Sequence, residues 1–250
     1  MSTDTLLQTL NFINLKQSKG NFFKDTDGNV ILDLNCPLPL GYNHDALINA
    51  RDSALYDRFL QGTVDVSSVP PQDYADMLGD DVMPVAPSGL NQVHLADGSS
   101  TTANEIALST AIMQFAMQNK KENYADLSVL GFSKSSHGCS VATLSCSDAQ
   151  ANVGSVPTYD WPVVDLPDLE LPYAQNEKAN VAEEERALEQ TRKTIQERRA
   201  AGKDVAAMIV EPISGLEMRS ATPAFFKSLR RLAKDEGIPF IVDETKSGMG

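Results

Sequence analysis

Apolar and polar positions along this chain mark out strands and helices that succeed one another over most of its length. Gly20 to Leu34 presents two β-prone runs joined by Asp27-Gly28-Asn29. Asp-Gly between alternating apolar residues is a strong hairpin signal, because both turn positions tolerate positive φ. From Pro70 to Val82 the pattern turns helical, and Pro84 and Pro87 break it. Gln92-Val93-His94-Leu95 reads as a short strand, followed by the loop Asp97-Gly98-Ser99-Ser100-Thr101-Thr102. Ala103 to Asn119 carries Ala, Met, Leu and Ile at helical spacing, with the hydroxyl-rich loop as its N-terminal cap.

The second half repeats the alternation more clearly. Leu127 to Phe132 reads as a strand, Ser133 to Ser147 is rich in small and hydroxylated residues, and Val156 to Tyr173, with four prolines and the chain's one Trp, predicts an extended excursion. Glu177 to Arg199 has the pattern of a long charged amphipathic helix. Ala206 to Val210 predicts a buried strand ending in Glu211-Pro212, Pro223 to Glu236 a helix, and Phe240-Ile241-Val242 a second buried strand that ends in Asp243-Glu244 before a glycine-containing turn. This last strand-helix-strand is a βαβ unit, whose right-handed crossover makes the two strands parallel and ends them on one sheet edge. Glu211 and Asp243 are therefore expected to face a common crevice, where open α/β sheets place their chemistry. Neither an internal repeat nor a low-complexity linker interrupts the pattern.

Composition narrows the functional classes. The 250 residues, 42% of them hydrophobic, suffice for one large domain or two modest ones. Asp and Glu outnumber Lys and Arg by 34 to 21, and the resulting formal charge of -13 repels a polyanion, which argues against nucleic acid as a partner. Cys36, Cys139 and Cys146 form neither a CxxC nor a Cys/His zinc pattern, and three histidines are few for a metal site, so no metal is expected. No apolar run reaches the roughly 20 residues that span a bilayer. Met1-Ser2-Thr3-Asp4-Thr5 has neither the apolar core of a secretory signal nor the arginines of a transit peptide, so the sequence predicts a soluble chain without a targeting segment.

Two readings of the hydroxyl loop stand side by side. Ser99, Ser100, Thr101 and Thr102 open a helix, so they serve either as its cap or, with the free backbone N–H groups and the positive end of the helix dipole, as a cradle for an anion. No Walker lysine follows, and Gly98 belongs to no GxGxxG, which weighs against a nucleotide. A strand-terminal Asp such as Asp243 more often caps or pairs than catalyses. Here it shares a predicted edge with the hydroxyl loop, Ser136-His137-Gly138 and Glu211. A phosphate cradle and a buried carboxylate together suit pyridoxal 5'-phosphate, whose phosphate would occupy the loop and whose ring nitrogen the carboxylate would keep protonated.

The hairpin, the following Leu40-Gly41-Tyr42-Asn43-His44, Val69-Pro70-Pro71, Val85-Ala86-Pro87-Ser88-Gly89-Leu90, Tyr159-Asp160-Trp161-Pro162 and Ile209-Val210-Glu211-Pro212-Ile213 resemble, collinearly from about Phe12 to Gly250, the class III pyridoxal-phosphate aminotransferases. The resemblance implies an α/β fold: a fold-type-I large domain with a mainly parallel sheet, incomplete at its C-terminus. Residues 1–68 would form an N-terminal segment with a β-hairpin and 69–250 part of the cofactor-binding large domain, without the small domain that follows. The implied reaction moves an amino group from 4-aminobutyrate or a similar ω-amino acid to 2-oxoglutarate. A homodimer in the mitochondrial matrix is the implied setting of the complete protein.

Residue by residue, the resemblance makes Asp243 the partner of the cofactor's ring nitrogen and Glu211 the active-site glutamate. It makes Ser100-Thr101 or Gly98-Ser99 the phosphate-binding pair, according to where a two-residue length difference falls, and His137-Gly138 the His-Gly of the ring-stacking loop. Lys246 stands at the family's cofactor-side glutamine. Two positions depart from the pattern: Ser136 replaces the stacking aromatic residue, and Cys139 the arginine that grips a substrate carboxylate. The lysine that holds the cofactor covalently lies, in the family, beyond the stretch that ends at Gly250. The expectation is that this chain alone is inactive, with two alternatives: an incomplete gene model, or a catalytically dead paralogue serving as a structural or binding subunit.

Overall fold

The computed structural model describes residues 12–34, 40–50, 53, 72–96, 98–147 and 156–248. The chain divides into two compact units, Met1–Asn91 and Gln92–Gly250. The division expected near residue 68, like Val69-Pro70-Pro71, Asp97 and Cys36, lies outside the described residues.

In the first unit β1 (Phe22–Lys24) and β2 (Val30–Leu32) pair antiparallel, with Phe23 opposite Ile31. The predicted turn is wider than two residues. Asp25 and Asn29 close it, with Asp25 accepting from the Asn29 backbone N–H at 2.8 Å and from its side-chain amide at 2.7 Å, while Gly28 takes the positive φ. Helix α1 (Asp45–Asn49) is capped by His44, and α2 (Gln72–Met77) runs into a π-helical turn, Leu78–Val82, and a 3-10 turn, Met83–Val85, at the expected prolines.

The second unit is a three-layer α/β sandwich. Helix α3 (Ser100–Gln118) precedes β3 (Leu127–Phe132), the short α4 (Val141–Ser145) and the two-residue β4 (Val163–Val164); α5 (Glu177–Ala200), β5 (Asp204–Val210), α6 (Pro223–Asp235) and β6 (Phe240–Val242) follow. The sheet runs β4-β3-β5-β6 with every pair parallel. Buried on both faces, β3 and β5 need continuous apolar runs instead of alternation. Ala206, Met208 and Val210 of β5 pack with Leu130 and Phe132 of β3 against Ala187 and Ile195 of α5 and Phe225 and Leu229 of α6. On the opposite face Ala207 and Ile209 join Val129, Leu108 and Ala111 of α3, and Cys146. Burying each large apolar side chain here stabilises the fold by about 1.5–3 kcal/mol.

Each helix buries one face, at Asn104, Leu108, Ala111 and Phe115 on α3 and at Asn180, Glu184, Ala187, Thr191 and Ile195 on α5. Of the three polar residues on the α5 face, Thr191 donates back to the Ala187 carbonyl and the other two have distant partners. Asn180 exchanges two hydrogen bonds with the backbone of Glu170, pinning the proline-rich excursion, and Glu184 accepts from the backbone N–H and hydroxyl of Thr222, the N-cap of α6. Asp160 of the Asp-Trp-Pro segment ties Arg198 and Lys203 together ahead of β5, so that motif is part of the scaffold.

Three expectations are corrected. Among the described residues Gln92 to Leu95 belongs to neither sheet and has no strand to pair with, and it is largely exposed: a short apolar run left unpaired does not become a strand. Strand β6 is an edge of the described sheet and not buried, with Val242 44% exposed. The hydroxyl loop is shorter than predicted, because Ser100, Thr101 and Thr102 already belong to α3, and Ser99 stands at the N-cap without a capping side-chain bond.

Candidate active site

The carboxyl ends of β3, β5 and β6 deliver His137, Glu211 and Asp243 to one edge of the sheet. Asp243 follows β6 directly and is buried, 5% exposed. Its Oδ2 lies 2.8 Å from His137 Nδ1 and accepts from the side-chain amide of Asn104 at 2.9 Å. Its Oδ1 accepts from the Thr245 backbone N–H at 3.1 Å and the Thr245 hydroxyl at 2.6 Å. Burial by itself would raise this carboxyl, but the bonds from His137 and Thr245 outweigh it and hold the group well below the usual carboxylate range. An ionised carboxylate only accepts, so His137 Nδ1 carries the shared proton. His137 Nε2 is buried and has no partner among the described residues.

Asn104 connects this carboxylate to the hydroxyl segment. It lies one turn after Ser100 on α3, and its amide donates both to Asp243 and to the backbone carbonyl of His137, at 2.8 Å. Asn104 is not among the residues the sequence pattern singles out, and a polar residue in an otherwise apolar helical run was the signal available for it. Gly138 completes the join: its φ is +135°, and a Cβ there would come within 2.5 Å of Thr101 Oγ1. Only glycine lets the His-Gly loop lie this close to the first turn of α3. Gly98 and Ser99 lead into that turn, whose first N–H groups have no intrahelical acceptor.

Glu211, 1% exposed, forms a second cluster beside the first. Its Oε2 accepts from the backbone N–H of Ser136 at 2.9 Å and of Gly215 at 2.7 Å, and its Oε1 from Lys246 Nζ at 2.9 Å. One carboxylate therefore ties together the loops after β3, β5 and β6. Lys246 directs its amine to this carboxylate, and a Cβ at Gly215 would fall 2.0 Å from that amine. Because Ser136 and His137 are consecutive and Asp243 and Lys246 share a turn, the two clusters form one polar wall. Ser136 and Cys139 are exposed on the same loop.

A parallel sheet with helices on both faces, and a buried carboxylate set beside a helix N-terminus at the strand ends, define the large domain of a fold-type-I pyridoxal-phosphate enzyme. The Aminotransferase class-III profile matches residues 7–250, and the chain belongs to that family. It is 35% identical over 264 residues to 4-aminobutyrate aminotransferase from Dictyostelium discoideum, covering 96% of this chain and 52% of the relative. It is 32% identical over 262 residues to the mitochondrial 4-aminobutyrate aminotransferase of Homo sapiens, with the same two coverages, 96% and 52%. The chain thus spans about half the length of the curated relatives it matches. Among solved structures, lysine aminotransferase from M. tuberculosis superposes with a TM-score of 0.77 at 27% identity, over 99% of this chain and 59% of that one.

Pyridoxal phosphate is the cofactor this family implies, and the donor set fits it. Asp243 offers an ionised, buried acceptor for a ring N–H, and the start of α3 offers hydroxyls and a dipole of the right sign for a phosphate.

Proposed function

We propose that this chain forms the cofactor-binding half of a 4-aminobutyrate aminotransferase-type enzyme, which moves an amino group from 4-aminobutyrate or a similar ω-amino acid to 2-oxoglutarate. The observation that carries the reading is the buried Asp243 carboxylate, held ionised by His137 on the edge where α3 begins. When bound, pyridoxal phosphate supplies the electron sink for amino-group transfer. Asp243 would accept the ring N–H and keep it protonated, His137 and Asn104 would fix the carboxylate's orientation, and Ser100 and Thr101 would receive the phosphate. Glu211 would hold the three surrounding loops in register. Relatives at 35% and 32% identity named for 4-aminobutyrate support the substrate class, and the resemblance supports a homodimer and, from the animal relatives' names, a mitochondrial setting. The resemblance puts the family's covalent lysine outside the stretch matched here, so we expect these 250 residues to bind cofactor without turnover.

A second reading rests on Ser136 and Cys139. A hydroxymethyl group offers no stacking face and a thiol no bidentate cation, which favours a paralogue retained as a structural or binding subunit. Absorbance titration with pyridoxal phosphate tests the first reading. The chain should bind it saturably, and Asp243→Asn should weaken binding by on the order of ten-fold, as loss of a charge-assisted bond predicts. A titration without saturation, or one that Asp243→Asn leaves unchanged, would favour the second.

A further inference from the structure

Asp243 has reached the limit of what a carboxylate can accept. Its Oδ2 takes His137 Nδ1 and Asn104 Nδ2, and its Oδ1 takes the Thr245 backbone N–H and hydroxyl. A carboxylate offers about four lone-pair positions, so these donors fill it and a fifth can bind only if one of them leaves.

The four are not equally free to go. His137 is 1% exposed and Asn104 7%, and the Asn104 amide also serves the His137 carbonyl, so moving either strips a buried group of its partner. The Thr245 N–H is main chain and closes the turn after β6. The Thr245 hydroxyl belongs to an exposed residue, and a rotation about χ1 alone carries it from Asp243 to solvent.

We propose, resting on the cofactor reading above, that the Thr245 hydroxyl occupies the acceptor position on Asp243 Oδ1 that the ring N–H of pyridoxal phosphate requires. Binding displaces the hydroxyl, and the competition sets the affinity. Thr245 is an internal stand-in for the ring donor: it keeps the buried carboxylate fully bonded without ligand and leaves by one torsion. It acts on affinity, not on the chemical step.

The test uses the full chain with Thr245→Val and Thr245→Ala, which remove the donor, and Thr245→Ser, which keeps it; urea unfolding verifies that each is folded. Dissociation constants are measured for pyridoxal phosphate and for its carbocyclic analogue, in which a C–H replaces the ring nitrogen. The expected result is binding of pyridoxal phosphate on the order of ten-fold tighter for the Val and Ala variants, with Ser close to the parent. Affinity for the analogue should be the same across the series. If Val and Ala bind pyridoxal phosphate no tighter than the parent, or gain equally for the analogue, the competition is refuted while the cofactor reading stands. If no variant and no parent binds pyridoxal phosphate, both fall together.

Discussion

The hairpin of the first unit and the parallel sheet of the second are both built from short apolar runs, yet they are held by different forces. In β1 and β2 most apolar side chains remain in water: Val30 is 68% exposed and Leu34, just beyond, 89%. The hairpin's geometry comes from its turn, where the buried Asp25 bonds Asn29 twice and fixes the register. In β3 and β5 the apolar residues are sealed on both faces, and hydrogen bonds between distant loops are arranged around that core. Local bonds can define a hairpin that burial does not stabilise, whereas the site's long-range bonds need a rigid sheet to bring their partners together.

Truncating one residue in each region should give the largest contrast between them. Ile209→Ala, at a fully buried position in β5, should cost about 2–5 kcal/mol in urea unfolding, while Val30→Ala should fall within about 0.5 kcal/mol. Equal costs would show that the hairpin is buried as deeply as the sheet.

Acid should separate the regions next. The folded Asp243 carboxyl is held below its unfolded value of about 3.9, so the stability it contributes is complete above that value and is lost as pH falls below it toward the folded value. Asp243→Asn should lower stability at neutral pH by about 1.5–3 kcal/mol and flatten the decline below about pH 4. An unaltered acid limb would mean that the His137 bond contributes nothing to the fold.

The smallest effect is expected in the turn. Asp25→Ala removes two bonds to Asn29 and should cost about 1 kcal/mol, seen as faster amide exchange across β1 and β2 with exchange in β3 and β5 unchanged. Loss of protection in β5 as well would show that the two regions unfold as one.

The pattern of residues by itself determined the hairpin, the helices α3, α5 and α6, and the runs of β3 and β5, because these depend on neighbours within a few positions. It also placed Glu211 and Asp243 at strand ends on a common edge, through the βαβ crossover rule. The strand order was decided by the tertiary structure, and so was the fate of two short apolar runs: among the described residues Gln92 to Leu95 finds no strand to pair with, and β6 stands at the edge of the sheet with Val242 in solvent. The site's bonds were decided there too. Asn104 meets Asp243 across 139 residues, His137 meets it across 106, and Ser136 meets Glu211 across 75. Hydrophobic periodicity records which face of an element leaves water, but it carries no record of which distant element will cover that face, and hydrogen-bond partners so far apart are chosen only when the sheet assembles.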